Sequence, residues 1–120
     1  MIPFTLAAAL SAAWLALHLV AGGRQILRPL RLSALDPVVR DTHFLCWHFT
    51  SVAIGAMAVF FTLAAVSGIA AYGVAGAGLA AAFWLCGVGL VIALRQRHAD
   101  LPQGWLFLPV AFLGLWGILA

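Results

Sequence analysis

The amino-acid sequence predicts an all-α integral membrane protein, an antiparallel bundle of four transmembrane helices with both termini outside the cytoplasm. Three observations support this prediction. Hydrophobic residues make up 66% of the 120 residues and charged residues only 8%, whereas a soluble domain carries about 25% charged residues. The apolar residues form four runs, each near the ~20 residues that cross a bilayer core. All six basic residues are arginines, and they lie only in the first and third connecting segments.

The chain is expected to form a single membrane domain over residues 1–120. Its predicted spans are residues 2–21, 44–66, 72–94 and 104–120, and its charged loops are residues 23–43 and 95–103. The last span is the shortest and gives only ~25 Å at 1.5 Å per residue. Pro109 is expected to kink it.

Turn and cap residues define the ends of the first two spans. Pro3 suits the first turn of a helix, and the Gly22–Gly23 pair suits a helix end. Asp36 followed by Pro37 is a favourable N-cap and first helical residue. The second helix is therefore predicted to begin some two turns before the membrane.

The arginines predict the orientation. They lie in the first loop and the third, which are on the same side of a four-helix protein, and neither the second loop nor the terminal segments carry a charged side chain. By the positive-inside rule both arginine-bearing loops face the cytoplasm. We therefore expect a multi-pass protein of a cell membrane, with the bacterial inner membrane as the expected location.

Several function classes are excluded by what the spans lack. No Asp or Glu lies within a predicted span, which excludes proton-coupled export through an intramembrane carboxylate. Cys46 and Cys86 form no CxxC pair, which excludes a dithiol redox centre. The net positive charge comes from arginines in two short segments beside apolar runs. This placement favours binding to lipid headgroups and argues against a nucleic-acid partner.

Small residues recur along the second and third predicted helices. Such residues permit close backbone approach in membranes, where lipid removes the hydrophobic drive for association. We therefore predict that these two helices form the closely packed central pair. The recurring positions are His48, Ser51, Gly55, Ala58, Thr62 and Ala65 in the second helix, and Gly73, Gly76, Ala80 and Gly87 in the third.

Two histidines near the cytoplasmic boundary are the candidate ligand-binding residues. His18 and His48 each lie about one turn inside a span, on helices joined by one loop. Asp41 shares a helical face with His48, and Arg24 lies close to His18 in sequence. Because a histidine at the hydrocarbon edge is costly, it is a functional candidate by default. His18, His48, Asp41 and Arg24 are thus predicted to share a site, and a b-type haem held by the two imidazoles is one possible cofactor.

A metal site is not expected. Cys46 and His48 are two residues apart, so a helix turns them about 200° from each other. His43 shares a face with Cys46, but two ligands are fewer than a soft-metal site requires. No coherent catalytic set is present, and no catalytic residue is predicted.

The arginines themselves form a second candidate site. Arg24, Arg28 and Arg31 recur at helical spacing in the first loop, and Arg95 and Arg97 lie in the third. Guanidinium groups in loops beside a membrane span bind anionic lipid headgroups. The same residues could instead serve only to set the topology of the chain.

Two functions from different classes follow. The first is a non-enzymatic accessory or assembly subunit, a homo-oligomer or part of a larger complex, which offers its basic surface to anionic lipid or an acidic partner. The second is a haem- or ligand-binding membrane protein that uses the histidine pair. A membrane enzyme acting on an amphipathic anionic substrate is a further alternative.

Overall fold

The protein is entirely helical in its computed structural model, which describes residues 1–120. The four helices are α1 (Ile2–Arg31), α2 (Pro37–Ser67), α3 (Ala70–Ala93) and α4 (Gln103–Leu119). The first three are long and apolar enough to cross a membrane, and α4 is apolar but shorter. The predicted all-α class is confirmed, and the helices are compatible with a membrane bundle.

The helices form a closed antiparallel ring, in which each packs against the next and α4 returns to α1. The molecule measures 50 × 26 × 20 Å, so its long axis exceeds the ~30 Å hydrocarbon core. We call the end that carries the first and third loops the arginine end. The opposite end, with both termini and the α2–α3 turn, is the terminal end.

Helix α1 continues ten residues beyond the predicted span. It is α-helical over Ile2–Leu17, π-helical over His18–Leu27 and α-helical again over Arg28–Arg31. Gly22 and Gly23 therefore lie inside the helix, although their pairing predicted its end. The physical reason is packing: a Cβ at Gly22 would lie 2.6 Å from Cη2 of Trp47. This glycine admits the indole and does not turn the chain.

Helix α2 begins where the sequence predicted. The Asp36 carboxylate accepts hydrogen bonds from the backbone N–H groups of Val38 and Val39, at 2.9 and 3.4 Å. Pro37 occupies the first turn, where its missing N–H costs nothing. The helix ends at Gly68, whose φ of 70° is the left-handed conformation that glycine adopts without strain. The first loop is thus reduced to residues 32–36.

The third loop begins with a left-handed residue that is not glycine. Arg95 has φ of 53°, and its N–H donates to the carbonyl of Ile92 while the N–H of Gln96 donates to the carbonyl of Val91. These two bonds form a Schellman motif. Helix α3 therefore ends firmly at the arginine end, with one residue in a strained conformation.

Helix α4 starts with a 3₁₀ turn, Gln103–Leu106, and becomes α-helical at Phe107. Pro109 consequently lies in the first α-helical turn, where its ring and absent N–H are tolerated. Because Pro109 lies in this first turn, it does not interrupt the interior of α4. This differs from the kink expected at Pro109.

The core occupies the terminal half of the ring. Met57, Phe61 and Val110 are fully buried there, together with Ser11, whose hydroxyl donates to the carbonyl of Ala7 at 2.8 Å. Phe4 packs against α3 and α4, because Gly73 and Gly117 leave room for its ring. The terminal half is therefore the closely packed part of the bundle.

The tightest backbone contact joins α3 to α4, and not α2 to α3 as the small-residue pattern predicted. A Cβ at Gly87 would lie 2.6 Å from Cα of Gly104. On α2, Gly55 faces Leu15 of α1, and a Cβ there would meet Cδ2 of Leu15 at an ordinary 3.7 Å. Small residues do mark contact faces, but those of α3 meet three helices: Gly73 meets Phe4 of α1, Gly76 meets Phe61 of α2, and Gly87 meets Gly104 of α4.

Candidate functional site

The arginine end carries two features of functional interest: a row of arginines on α1 and a cavity inside the ring. Both depend on the lengths of the helices. Helices α1 and α2 extend past the first turn of α4, which begins opposite Gly87. The last turns of α1 and the first turns of α2 therefore have no fourth helix beside them.

No acidic side chain of the protein pairs with an arginine of α1. Asp36 caps α2. The Asp41 carboxylate accepts from Nε of Arg40 at 3.1 Å, and the Asp100 carboxylate lies 3.9 Å from Nε of Arg97. No acidic group therefore remains to pair with the arginines of α1.

Arg24, Arg28 and Arg31 are exposed and make no ion pair. Arg28 and Arg31 line one surface depression of about 450 Å³, whose other walls are Gly23, Leu27 and Leu32. The guanidinium of Arg31 also lies 5.3 Å from the centre of the Phe44 ring of α2, within range of a cation–π contact. The depression combines two cations with apolar side chains and contains no acid.

His18, the first residue of the π-helical segment, is held by two residues of α2. Its Nε2 lies 3.1 Å from Oγ of Ser51, and its ring stacks on the Trp47 indole with centroids 4.0 Å apart and planes 16° apart. Ser51 donates its own hydroxyl hydrogen to the Trp47 carbonyl at 3.1 Å. Its oxygen therefore has a lone pair that can accept from Nε2 of His18 when that nitrogen carries hydrogen.

The four predicted ligand-binding residues differ in their contacts. Ser51 occupies the position opposite His18. His48 is exposed, and its ring meets that of Phe44 on its own helix, with centroids 4.6 Å apart. Asp41 bonds to Arg40, and Arg24 is exposed. Of the four, only His18 lines the internal cavity.

The cavity has a volume of about 1000 Å³ and runs from the middle of the bundle to the arginine end. Its inner part is apolar, with Ile54, Phe83 and Phe107 among its walls. Its outer part is lined by Gln25 of α1 and by residues 99–102 of the third loop. The shape suits a molecule with an apolar body and a polar head.

A hydrogen bond across the ring fixes the wall beside this cavity. Nε1 of Trp14 donates to the carbonyl of Leu106 at 2.8 Å, which ties α1 to the 3₁₀ turn of α4. Trp14 and Leu106 both line the cavity. The bond gives the indole N–H of Trp14 a hydrogen-bond partner inside the bundle.

Sequence reasoning missed the cavity residues Gln25, Cys86 and Asp100. Gln25 follows His18 by seven residues and would have been found on the same helical face, had Gly22–Gly23 not been interpreted as a helix end. Asp100 lies in a loop, where periodicity carries no signal. Cys86 is a free thiol that lines the cavity, whereas the other free thiol, Cys46, does not.

No three His, Cys, Asp or Glu side chains come together to form a metal-binding group. No known protein family, curated protein or solved structure matches the chain. Residue roles are therefore assigned from the geometry of this chain alone.

Proposed function

We propose that the protein is a small multi-pass membrane protein that binds anionic phospholipid headgroups at its arginine end and serves as an accessory or assembly subunit of a membrane complex. The observation that carries the proposal is the row Arg24, Arg28 and Arg31, three exposed guanidinium groups without an acidic partner. In this proposal the arginine end faces the cytoplasm, following the positive-inside rule, in a membrane with an anionic inner leaflet such as the bacterial inner membrane.

The position of Arg24, Arg28 and Arg31 along α1 supports a lipid headgroup as the ligand. The helix from Ile2 to Arg24 spans roughly 30 Å at 1.5 Å per residue, which is the thickness of the hydrocarbon core. Arg24 thus lies at the boundary, with Arg28 and Arg31 in the headgroup layer. Arginines at this level face lipid phosphates directly.

The depression between Arg28 and Arg31 supports a lipid over an acidic protein segment. Its apolar walls are Leu27 and Leu32, and the side chain of Leu32 is exposed. An arginine pair beside exposed aliphatic side chains matches a phosphate followed by acyl chains. Each arginine near an anionic surface contributes about 1 kcal/mol of binding free energy. The row therefore favours anionic lipids while their binding stays reversible.

Native mass spectrometry of the protein released from nanodiscs tests the proposal. With mixed phosphatidylglycerol and phosphatidylcholine, the wild-type protein should retain phosphatidylglycerol. The double variant Arg28→Gln/Arg31→Gln should lose about tenfold or more of this retention, the effect of two such contacts. Arg40→Gln is the matched control, because it removes a positive charge from the same end that is already paired with Asp41.

Equal retention of both lipids by the wild-type protein would contradict the proposal. The same loss in Arg40→Gln as in the double variant would also contradict it, because the effect would then follow net charge and not the unpaired row.

A further inference from the structure

The internal cavity is distinct from the arginine row, and its chemistry is different. On α1 it is lined by Leu17, Ala21 and Gln25, none of which lines the depression between Arg28 and Arg31. No arginine lines it. Its lining combines aliphatic side chains in the inner part, four aromatic side chains and one carboxylate at the mouth. The aromatic residues are Trp14, Trp47, Phe83 and Phe107.

We propose that this cavity binds a lipophilic cation, a molecule with an apolar or aromatic body and a positively charged head, whose charge lies near Asp100 and the Trp47 indole. This site is independent of the arginine row and of the lipid proposed to bind there.

The size and lining of the cavity support an apolar body. A volume of about 1000 Å³ lies at the upper end of the range for small-molecule sites. Ile54 and Phe107 are almost fully buried in the bundle yet line the inner cavity. An apolar body placed against these walls would remove its own surface from polar surroundings.

The charges of the lining support a cationic head. Asp100 is the only acidic residue in the lining, and neither Lys nor Arg accompanies it there. Its partner Arg97 lies 3.9 Å away with its side chain 81% exposed, so it balances the carboxylate only loosely. An anionic head would meet Asp100 without a compensating cation.

The aromatic walls add to the same preference. The faces of Trp and Phe rings attract cations through their quadrupoles. His18 also lines the cavity, and its Nε2 lies 3.1 Å from Oγ of Ser51.

Two ions of nearly equal size and opposite charge test the proposal directly: tetraphenylphosphonium and tetraphenylborate. Protection of Cys86 from N-ethylmaleimide reports occupancy, because this thiol lines the cavity. The measurement uses the Cys46→Ala protein, in which Cys86 is the only thiol. The Cys86→Ala protein provides the control, since Cys46 is exposed outside the cavity.

Tetraphenylphosphonium is expected to protect Cys86 at concentrations at which tetraphenylborate does not, and neither ion should protect Cys46. Asp100→Asn should weaken protection by the cation about fivefold, the effect of one partly exposed charge. Ala82→Leu, which narrows the cavity, should abolish protection, whereas Ala75→Leu on an exposed face of α3 should not.

Equal protection by both ions would show a purely apolar cavity and overturn the proposal of a cation site. Protection by the anion alone, or protection of Cys46 as strong as that of Cys86, would overturn it as well. Failure of the lipid experiment with the arginine variants would leave these results unaffected, so the two proposals fail separately.

Discussion

At the scale of single residues, His18 shows how the fold accommodates a polar side chain inside an apolar helix. A buried polar group without a partner is costly. Here Ser51 accepts the imidazole hydrogen, and the Trp47 ring covers one face of the imidazole. Gly22 makes room for the same indole one turn further along α1. These residues together hold α1 and α2 in one register.

Replacing Ser51 by Ala tests this arrangement. We expect Ser51→Ala to lower the free energy of unfolding by about 1 kcal/mol or more, because Nε2–H of His18 loses its acceptor. Thr62→Ala is the matched control: Thr62 is exposed and its hydroxyl bonds only to the Ala58 carbonyl of its own helix. Denaturant unfolding in detergent measures both variants, and equal losses would contradict a stabilising role for the His18–Ser51 bond.

The sequence predicted that His18 faces α2 but not which residue it meets. His48 was the expected partner, and Ser51, three residues further along, takes that place. The register of two helices depends on which side chains interlock, here Leu15 against Gly55. This register depends on the surfaces of both helices. It therefore cannot be derived from the spacing of apolar residues along either helix alone.

At the scale of the elements, glycines decide how closely the helices approach. Gly87 and Gly104 bring α3 and α4 into backbone contact. Gly78 and Gly89 on the same helix α3 have open space where a Cβ would be. Composition showed that small residues are abundant, but only the structure separates the glycines that pack from those that do not. The same applies to Gly22–Gly23, where the local signal for a helix end was overridden by tertiary packing.

A pair of alanine substitutions separates these two kinds of glycine. Gly87→Ala should destabilise the protein by about 1–3 kcal/mol, because the new methyl group would overlap Gly104 and push α4 away. Gly89→Ala should be neutral or stabilise the helix by up to about 1 kcal/mol, the usual gain from removing a helical glycine.

Thermal unfolding of the two proteins in one detergent measures the difference. A Gly87→Ala protein as stable as Gly89→Ala would show that α3 and α4 are not held in backbone contact.

At the scale of the whole molecule, the bundle is divided into a packed half and an open half. Phe61 and Met57 lie in the terminal half, where the four helices meet. The arginine half contains the cavity and all charged side chains, whereas the two chain termini lie at the other end. Composition and charge placement were sufficient to predict the helical class and the clustering of charge at one end. The cavity was not predictable, because it depends on where α4 begins relative to α3.

The orientation of the arginine end is the central claim, since the lipid proposal depends on it. A reporter enzyme that is active only outside the cytoplasm, fused after Ala120 in one protein and after Arg97 in another, measures it most directly. We predict activity for the fusion after Ala120 and none for the fusion after Arg97, because the positive-inside rule assigns an arginine-bearing loop to the cytoplasmic side. The reverse pattern would contradict the orientation, and inactivity of both fusions would contradict α4 as a membrane span.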